Sequence, residues 1–229
     1  MDDYSTSART SGWHHYPGEV WDERKPITWL DDWPFWAYCI QHYATSEAPI
    51  LELACGNGRI TRQLALAGYT VTAVDLNPHF LSRASTYLPE HVRPNVNLML
   101  QDVINLDLDQ QFAIVLMTDW AFPAILTQDD QLRFFERLGR HLSPSGVFAF
   151  NTPLLGASPI VGQFDALSQT ETKTSAENTI RLRHNTLSEI LLLGKLTGFE
   201  IIEAYGGVDK RPLLGQVGDD LTLVMRYVG

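Results

Sequence analysis

The sequence predicts an α/β fold: a doubly wound, mainly parallel sheet of seven strands with helices on both faces. Three observations carry that reading. Short apolar runs alternate with helix-period segments in the order expected of βαβ units, which implies a parallel sheet covered on both sides. Several runs, such as VNLMLQD and FAIVLMT, are apolar almost throughout, as in strands buried on two faces. The helical stretches between them begin and end at recognisable caps.

Along the chain, residues 1 to about 28 are polar and irregular yet aromatic, with Trp13, His14, His15, Tyr16 and Trp21 close together. That is not the composition of a disordered tail. Residues 28–44, TWLDDWPFWAYCIQHYA, read as an amphipathic covering helix with Pro34 near its start, where a missing N–H costs little. APILELA is the first strand. The helix RITRQLALA follows and stops at Gly68, YTVTAVD is the second strand, and Asn77 with Pro78 opens the next helix. VNLMLQD and FAIVLMT are the third and fourth strands. In DDQLRFFERLGRHL, residues Leu132, Phe135, Leu138 and Leu142 share a face, and Thr127 with Asp130 has the spacing of a capping box. The turn SPSG leads into VFAFN, the fifth strand. Residues 153–181 are rich in Pro, Gly, Ser and Thr and read as a loop or short cap. TLSEILLLGKLTG is a helix with a Thr186–Glu189 capping box, a Gly198 stop and a core-facing Leu191–Leu193 run. FEIIEAY and LTLVMRYV close the sheet. The expected organisation is one domain over 1–229: an aromatic lid (1–47), a binding core (48–152), the cap (153–181) and a closing helix with two strands (182–229).

Composition narrows the chemistry. The chain has 229 residues and a formal net charge of −10, with no cluster of Lys or Arg, so a phosphate backbone is a poor partner and nucleic acid is not expected. No apolar run approaches the ~20 residues of a membrane span, and the acidic N-terminus does not open like a signal peptide. Two cysteines, Cys39 and Cys55, make neither a disulfide framework nor a zinc spacing. A cytoplasmic protein without membrane partners, acting on a small molecule and needing no metal, is the expectation.

In such sheets ligands bind beyond the carboxyl ends of the strands. The stretch ILELACGNGRI lies at the first of these ends, with Gly56 and Gly58 permitting a tight turn that a ligand can approach. A dinucleotide turn, G-x-G-x-x-G, needs a third glycine where this chain has Thr61, which disfavours a nicotinamide-dependent oxidoreductase.

Glu52-Leu53-Ala54-Cys55-Gly56-Asn57-Gly58 instead resembles motif I of the class I S-adenosylmethionine-dependent methyltransferases, small-molecule type. VTAVDLNP is similar to the family's second-strand motif, LQDVINLDL to the segment after strand 3, FAIVLMTDW to strand 4, and HLSPSGVFAF to the turn before strand 5. The likeness spans about residues 48–152. Ala54 and Ser145 stand where the family has glycine, and alanine at the first of these reads as a mild change. The resemblance implies strand order 3-2-1-4-5-7-6 and S-adenosyl-L-methionine as cofactor. It places Glu52, Ala54, Gly56, Asn57 and Gly58 in the turn at the cofactor, Asp75 with Leu76 at the ribose, Asp102 with Val103 at the adenine, and Thr118 at the end of strand 4.

By the same resemblance the acceptor sits above strands 4 and 5, near Trp13, His14, His15, Tyr16, Trp21, Asp119, Trp120, Phe122, Asn151 and His184. Among these His14, His15, Tyr16, Trp120 and His184 are the candidates for catalysis. The aromatic N-terminus is expected to close over the acceptor as a lid. RLRH at 181–184 reads as a solvated strand end. The implied reaction moves a methyl group to N, O or C of a small molecule, chiefly by alignment. A protein that binds the cofactor without transferring its methyl, a cyclase or a scaffold, is the alternative.

Overall fold

The computed structural model describes residues 11–44, 48–157, 159–176 and 178–229. A seven-stranded sheet is built from β1 (Ile50–Leu53), β2 (Val71–Asp75), β3 (Val96–Leu100), β4 (Phe112–Met117), β5 (Leu142–Pro153), β9 (Phe199–Tyr205) and β10 (Asp220–Tyr227). Its order is β3-β2-β1-β4-β5-β10-β9. Counting only these strands, that is the expected 3-2-1-4-5-7-6. Strands β1 to β5 run parallel, whereas β10 pairs antiparallel with both β5 and β9.

Successive residues of a strand face opposite sides, and the core divides accordingly. Ile50, Ile114, Leu116, Val147 and Ala149 pack under α2 (Trp33–Tyr43) and α3 (Arg59–Leu66). Leu51, Leu53, Val115, Met117, Phe148 and Phe150 pack under α5 (Gln128–Arg140) and α6 (Leu187–Thr197). Helix α4 (Pro78–Tyr87) begins as expected: the Asn77 side chain accepts from the His79 N–H and Pro78 takes the first turn. Thr127 accepts from Asp130 N–H at the start of α5, Thr186 and Glu189 complete their capping box, and Gly198 ends α6 with φ +78°.

Several expectations need correction. Strand β3 is an edge strand and only partly buried, because no described strand pairs beyond it. Leu142 belongs to β5 rather than to α5. Leu191 and Leu192 are exposed and only Leu193 is buried, since three consecutive helical residues cannot share one face. The covering helix begins only at Trp33, and residues 18–24 form a separate short helix, α1 (Gly18–Arg24).

The largest correction concerns residues 153–181. They contain an antiparallel sheet, β6 (Gln163–Asp165), β7 (Thr170–Thr174) and β8 (Thr179–Arg183), in the order β6-β7-β8. Its strands are short and polar, so they lack the apolar alternation by which strands are found. Buried Glu171 organises it, accepting from the N–H groups of Val161 and Gly162, each at 2.7 Å, and bonding His184 Nε2 at 2.8 Å. The 181–184 stretch is therefore not a solvated strand end. Arg183 is buried too, donating to Ser168 O and Gln169 Oε1 at 2.6 Å and to Glu189 Oε1 at 3.0 Å.

Candidate cofactor and acceptor cleft

The carboxyl ends of β1 to β4 open into a cleft. Sheet order sets its layout. Asp102 follows β3, Asp75 ends β2, Ala54 and Gly56 follow β1, and Thr118, Asp119 and Trp120 follow β4; all of them line the wall. Because β3, β2, β1 and β4 are consecutive in the sheet, these groups stand in a row spanning three strand spacings, roughly 14 Å.

Asp75 is fixed by the backbone around it. Its Oδ2 accepts from Gly56 N–H and its Oδ1 from Asn77 N–H, both at 2.8 Å. Burial pushes its pKa up to about 6, against the lowering effect of these backbone donors. Each oxygen retains acceptor capacity, so a vicinal diol can be held here. One strand away, Asp102 caps a 3-10 turn over Val103–Asn105 by accepting from Ile104 N–H at 3.0 Å. Leu76, Val103 and Ile104 supply apolar wall between the two acids.

The glycine turn divides its labour. Gly56 (φ +57°) lines the cleft, and a Cβ there would stand 3.1 Å from Trp21 Nε1. Gly58 does not line it. At φ +77° its missing Cβ leaves room for Ala84, which a Cβ would approach to 2.8 Å, so this glycine lets α3 and α4 pack together. Ala54 has φ +52° and Ser145 φ +62°. Both replacements of family glycines therefore fall where glycine is favoured, and the alanine is not the mild change expected.

Two further residues of the turn are absent from the cleft wall. Glu52 is buried on the helix side of β1, where Thr61 Oγ1 donates to it, and burial pushes its pKa up to about 8. The missing third glycine thus has a purpose of its own. Asn57 is buried under the chain segment that precedes it, donating to Asp22 Oδ1 at 2.9 Å and to Lys25 O at 2.8 Å.

Above the row lies a strap, residues 11–25, that contributes Trp13 and Trp21 to the cleft. Its ties are chiefly side chains. Asp22 accepts from Arg83 Nε at 2.6 Å and from the Tyr87 hydroxyl at 2.7 Å, and Asn77 Nδ2 donates to Trp13 O and Tyr16 O. Lys25 pairs with Asp119 at 2.7 Å, and Arg181 N–H donates to Ser11 O, joining the strap to β8.

Of the five catalytic candidates, only Trp120 is in the wall of the cleft. His15 is exposed with its ring tilted by 41° against that of His14, while Tyr16 is buried against Trp13, Trp21 and Phe80. His184 is buried in the cap against Glu171 and Phe164. Phe122 is a fully buried core side chain, and Asn151 serves Trp120, accepting its N–H at 3.4 Å. Sequence reasoning missed Phe80, Met117, Ala121, Ala124 and Ile125 in the wall. Met117 ends β4 and the others lie in the segments that follow β2 and β4, which is the signal that could have found them.

The sheet order and its helices give the fold of the class I S-adenosylmethionine-dependent methyltransferases. Residues 50–146 match the family model for a methyltransferase domain. YqeM of Bacillus subtilis (strain 168), a methyltransferase by name, is 30% identical over 133 residues, covering 58% of this chain and 52% of its own length. The chain spans about half the length, or less, of the curated relatives it matches. The CcbJ methyltransferase from Streptomyces caelestis superposes with a TM-score of 0.76 at 20% identity, covering 93% of this chain and 96% of that one. The glycopeptide N-methyltransferase MtfA complexed with S-adenosyl-L-methionine superposes at 0.65 with 19% identity, covering 86% and 87%.

Proposed function

We infer that this protein is an S-adenosylmethionine-dependent methyltransferase acting on a nitrogen, oxygen or carbon of a small-molecule acceptor. One observation carries the reading: diol-binding, apolar and acidic groups stand in a single row across four adjacent strand ends, under an aromatic strap. Asp75 holds the ribose hydroxyls, Asp102 with Val103 and Leu76 takes the adenine, and the turn through Ala54 and Gly56 faces the amino-acid end. That donor set fits the cofactor, which when bound supplies a methyl group on a sulfonium. MtfA, which shares the fold, is complexed with the same cofactor.

The chain's own contribution is alignment and exclusion of water. Trp13, Trp21, Phe80 and Trp120 give the cleft apolar walls, and the strap shields its open side. In-line transfer needs no protein nucleophile, so the absence of His or Tyr from the described wall does not disable it. No described helix is long and apolar enough to cross a membrane. Isothermal titration with S-adenosylmethionine and, separately, NADH is the test. Binding of the first alone is expected; binding of NADH alone would replace this reading with an oxidoreductase.

A further inference from the structure

The acceptor end of the cleft has a chemistry of its own. The only ionisable side chains in the described wall are three acids, Asp75, Asp102 and Asp119; no Lys, Arg or His lines it. Two of them belong to the cofactor half. Asp119 stands past the glycine turn, and its carboxylate is mostly buried, with 19% of the side chain accessible. Its salt-bridge partner is Lys25, an ammonium on a flexible stem reaching in from the strap, with its Nζ 3.8 Å above the Trp29 ring.

Beside it, Trp120 is fixed but uncovered. Its indole side chain hydrogen-bonds Asp220 and its N–H reaches Asn151 Oδ1, while 43% of the residue stays exposed at the cleft. Asp119 and Trp120 are consecutive residues with φ of +55° and +57°. Two non-glycine residues in a row in that conformation are costly, and such strain persists where the surroundings impose it, commonly at ligand clamps. Here it aims a carboxylate and an indole into one space.

We propose that the acceptor is a cationic amine, its ammonium taken by Asp119 and steadied against the Trp120 ring, and that Lys25 is the counter-ion it displaces. The proposal rests on the methyltransferase reading and adds the substrate class to it. Exchange of one ammonium for another keeps the buried carboxylate paired, and a partly exposed lysine bridge contributes too little to resist it. An indole face attracts a cation, and a wall of acids repels an anionic acceptor.

The test begins with a radiolabelled methyl donor and a small-molecule extract of the source organism, with products separated by charge at neutral pH. Label is expected in a product retained on a cation exchanger. The purified product is then titrated into the chain saturated with S-adenosylhomocysteine. Asp119→Asn should weaken its binding by about tenfold or more, and Lys25→Met should strengthen it by up to about fivefold. Asparagine accepts positive φ as readily as aspartate, so the Asp119 variant keeps its backbone. Label in a neutral or anionic product, no labelled product from a chain that binds S-adenosylhomocysteine, or product affinity untouched by Asp119→Asn would overturn the amine assignment. Loss of product binding in Lys25→Met would make the lysine part of the site rather than its stand-in. Failure of the wild-type chain to bind S-adenosylhomocysteine would instead defeat the methyltransferase reading beneath it.

Discussion

The floor and the roof of the cleft are built by different physics. The floor is held by backbone: Asp75 is locked by two main-chain N–H groups, Asp102 by a third, and the strands beneath are buried on both faces at β1 and β2. The roof, residues 11–25, is held chiefly by side chains, among them Asp22 with Arg83 and Tyr87, Asn57 with Asp22, and Lys25 with Asp119. Backbone locks open only with the fold around them, whereas exposed or half-exposed side-chain pairs exchange at small cost. From this contrast we expect a rigid floor under a cover that loosens before the sheet does.

Substitutions in the floor should cost stability or cofactor affinity, and the largest loss is expected from Gly58→Val. A side chain there meets Ala84 and must hold a positive φ, costing roughly 3 kcal/mol or more. Chemical denaturation reads this directly, and a variant of wild-type stability would remove Gly58 from the α3–α4 contact. Glu52→Gln should show a pH-dependent gain. Glu52 has its pKa raised from 4.5 to about 8, so the folded state retains a proton that the unfolded chain has lost. Its contribution is full below about pH 4.5 and is lost as pH rises through 8. The variant should therefore gain on the wild type across that window, and parallel stability curves would contradict a neutral buried Glu52.

Asp75→Asn should leave the fold intact and weaken S-adenosylmethionine binding by about 1.5–3 kcal/mol. In the wild type, affinity should fall as pH drops through about 6, where the carboxylate takes up a proton. The variant should lack that dependence in the same titrations. Equal affinities would remove Asp75 from the ribose.

The roof should respond differently. Asp22→Ala removes the anchor shared by Arg83, Tyr87 and Asn57, and about 1 kcal/mol of stability is expected to go with it. Hydrogen exchange should quicken over residues 11–25 while the strands keep their protection. Uniform loosening would erase the distinction between floor and roof. The smallest effect is a gain: Ala54→Gly should stabilise the chain by about 1 kcal/mol by relieving a positive φ. A loss there would mean that the alanine methyl packs to advantage.

The parallel core was legible because its signals are local: apolar runs of strand length, Asn77 and Thr186 as caps, Gly198 as a stop. The row of groups in the cleft was legible for the same reason, since Asp75, Asp102 and Gly56 stand at strand ends that the chain order announces. Glu52, Asn57 and Gly58 sit in the same motif, yet their partners Thr61, Asp22 and Ala84 come from other elements. Sequence spacing says nothing about which way a side chain turns. The cap was illegible because its strands are held by a buried carboxylate and an arginine rather than by alternating apolar residues. His184 was misread with it, its imidazole committed to Glu171 instead of to the cleft.

The hydrogen bond from Arg181 N–H to Ser11 O, at 2.9 Å, makes the start of the strap an extension of the cap sheet. The same strap carries Trp21 past Gly56 and Lys25 to Asp119. A ligand that orders the strap at the glycine turn therefore lowers the entropic cost of ordering everything attached to it, including the space beside Trp120. Linkage makes such coupling reciprocal: whatever factor the first ligand lends the second, the second returns. The two ends of the cleft would then bind cooperatively through a single segment of main chain, by the same factor whichever ligand came first.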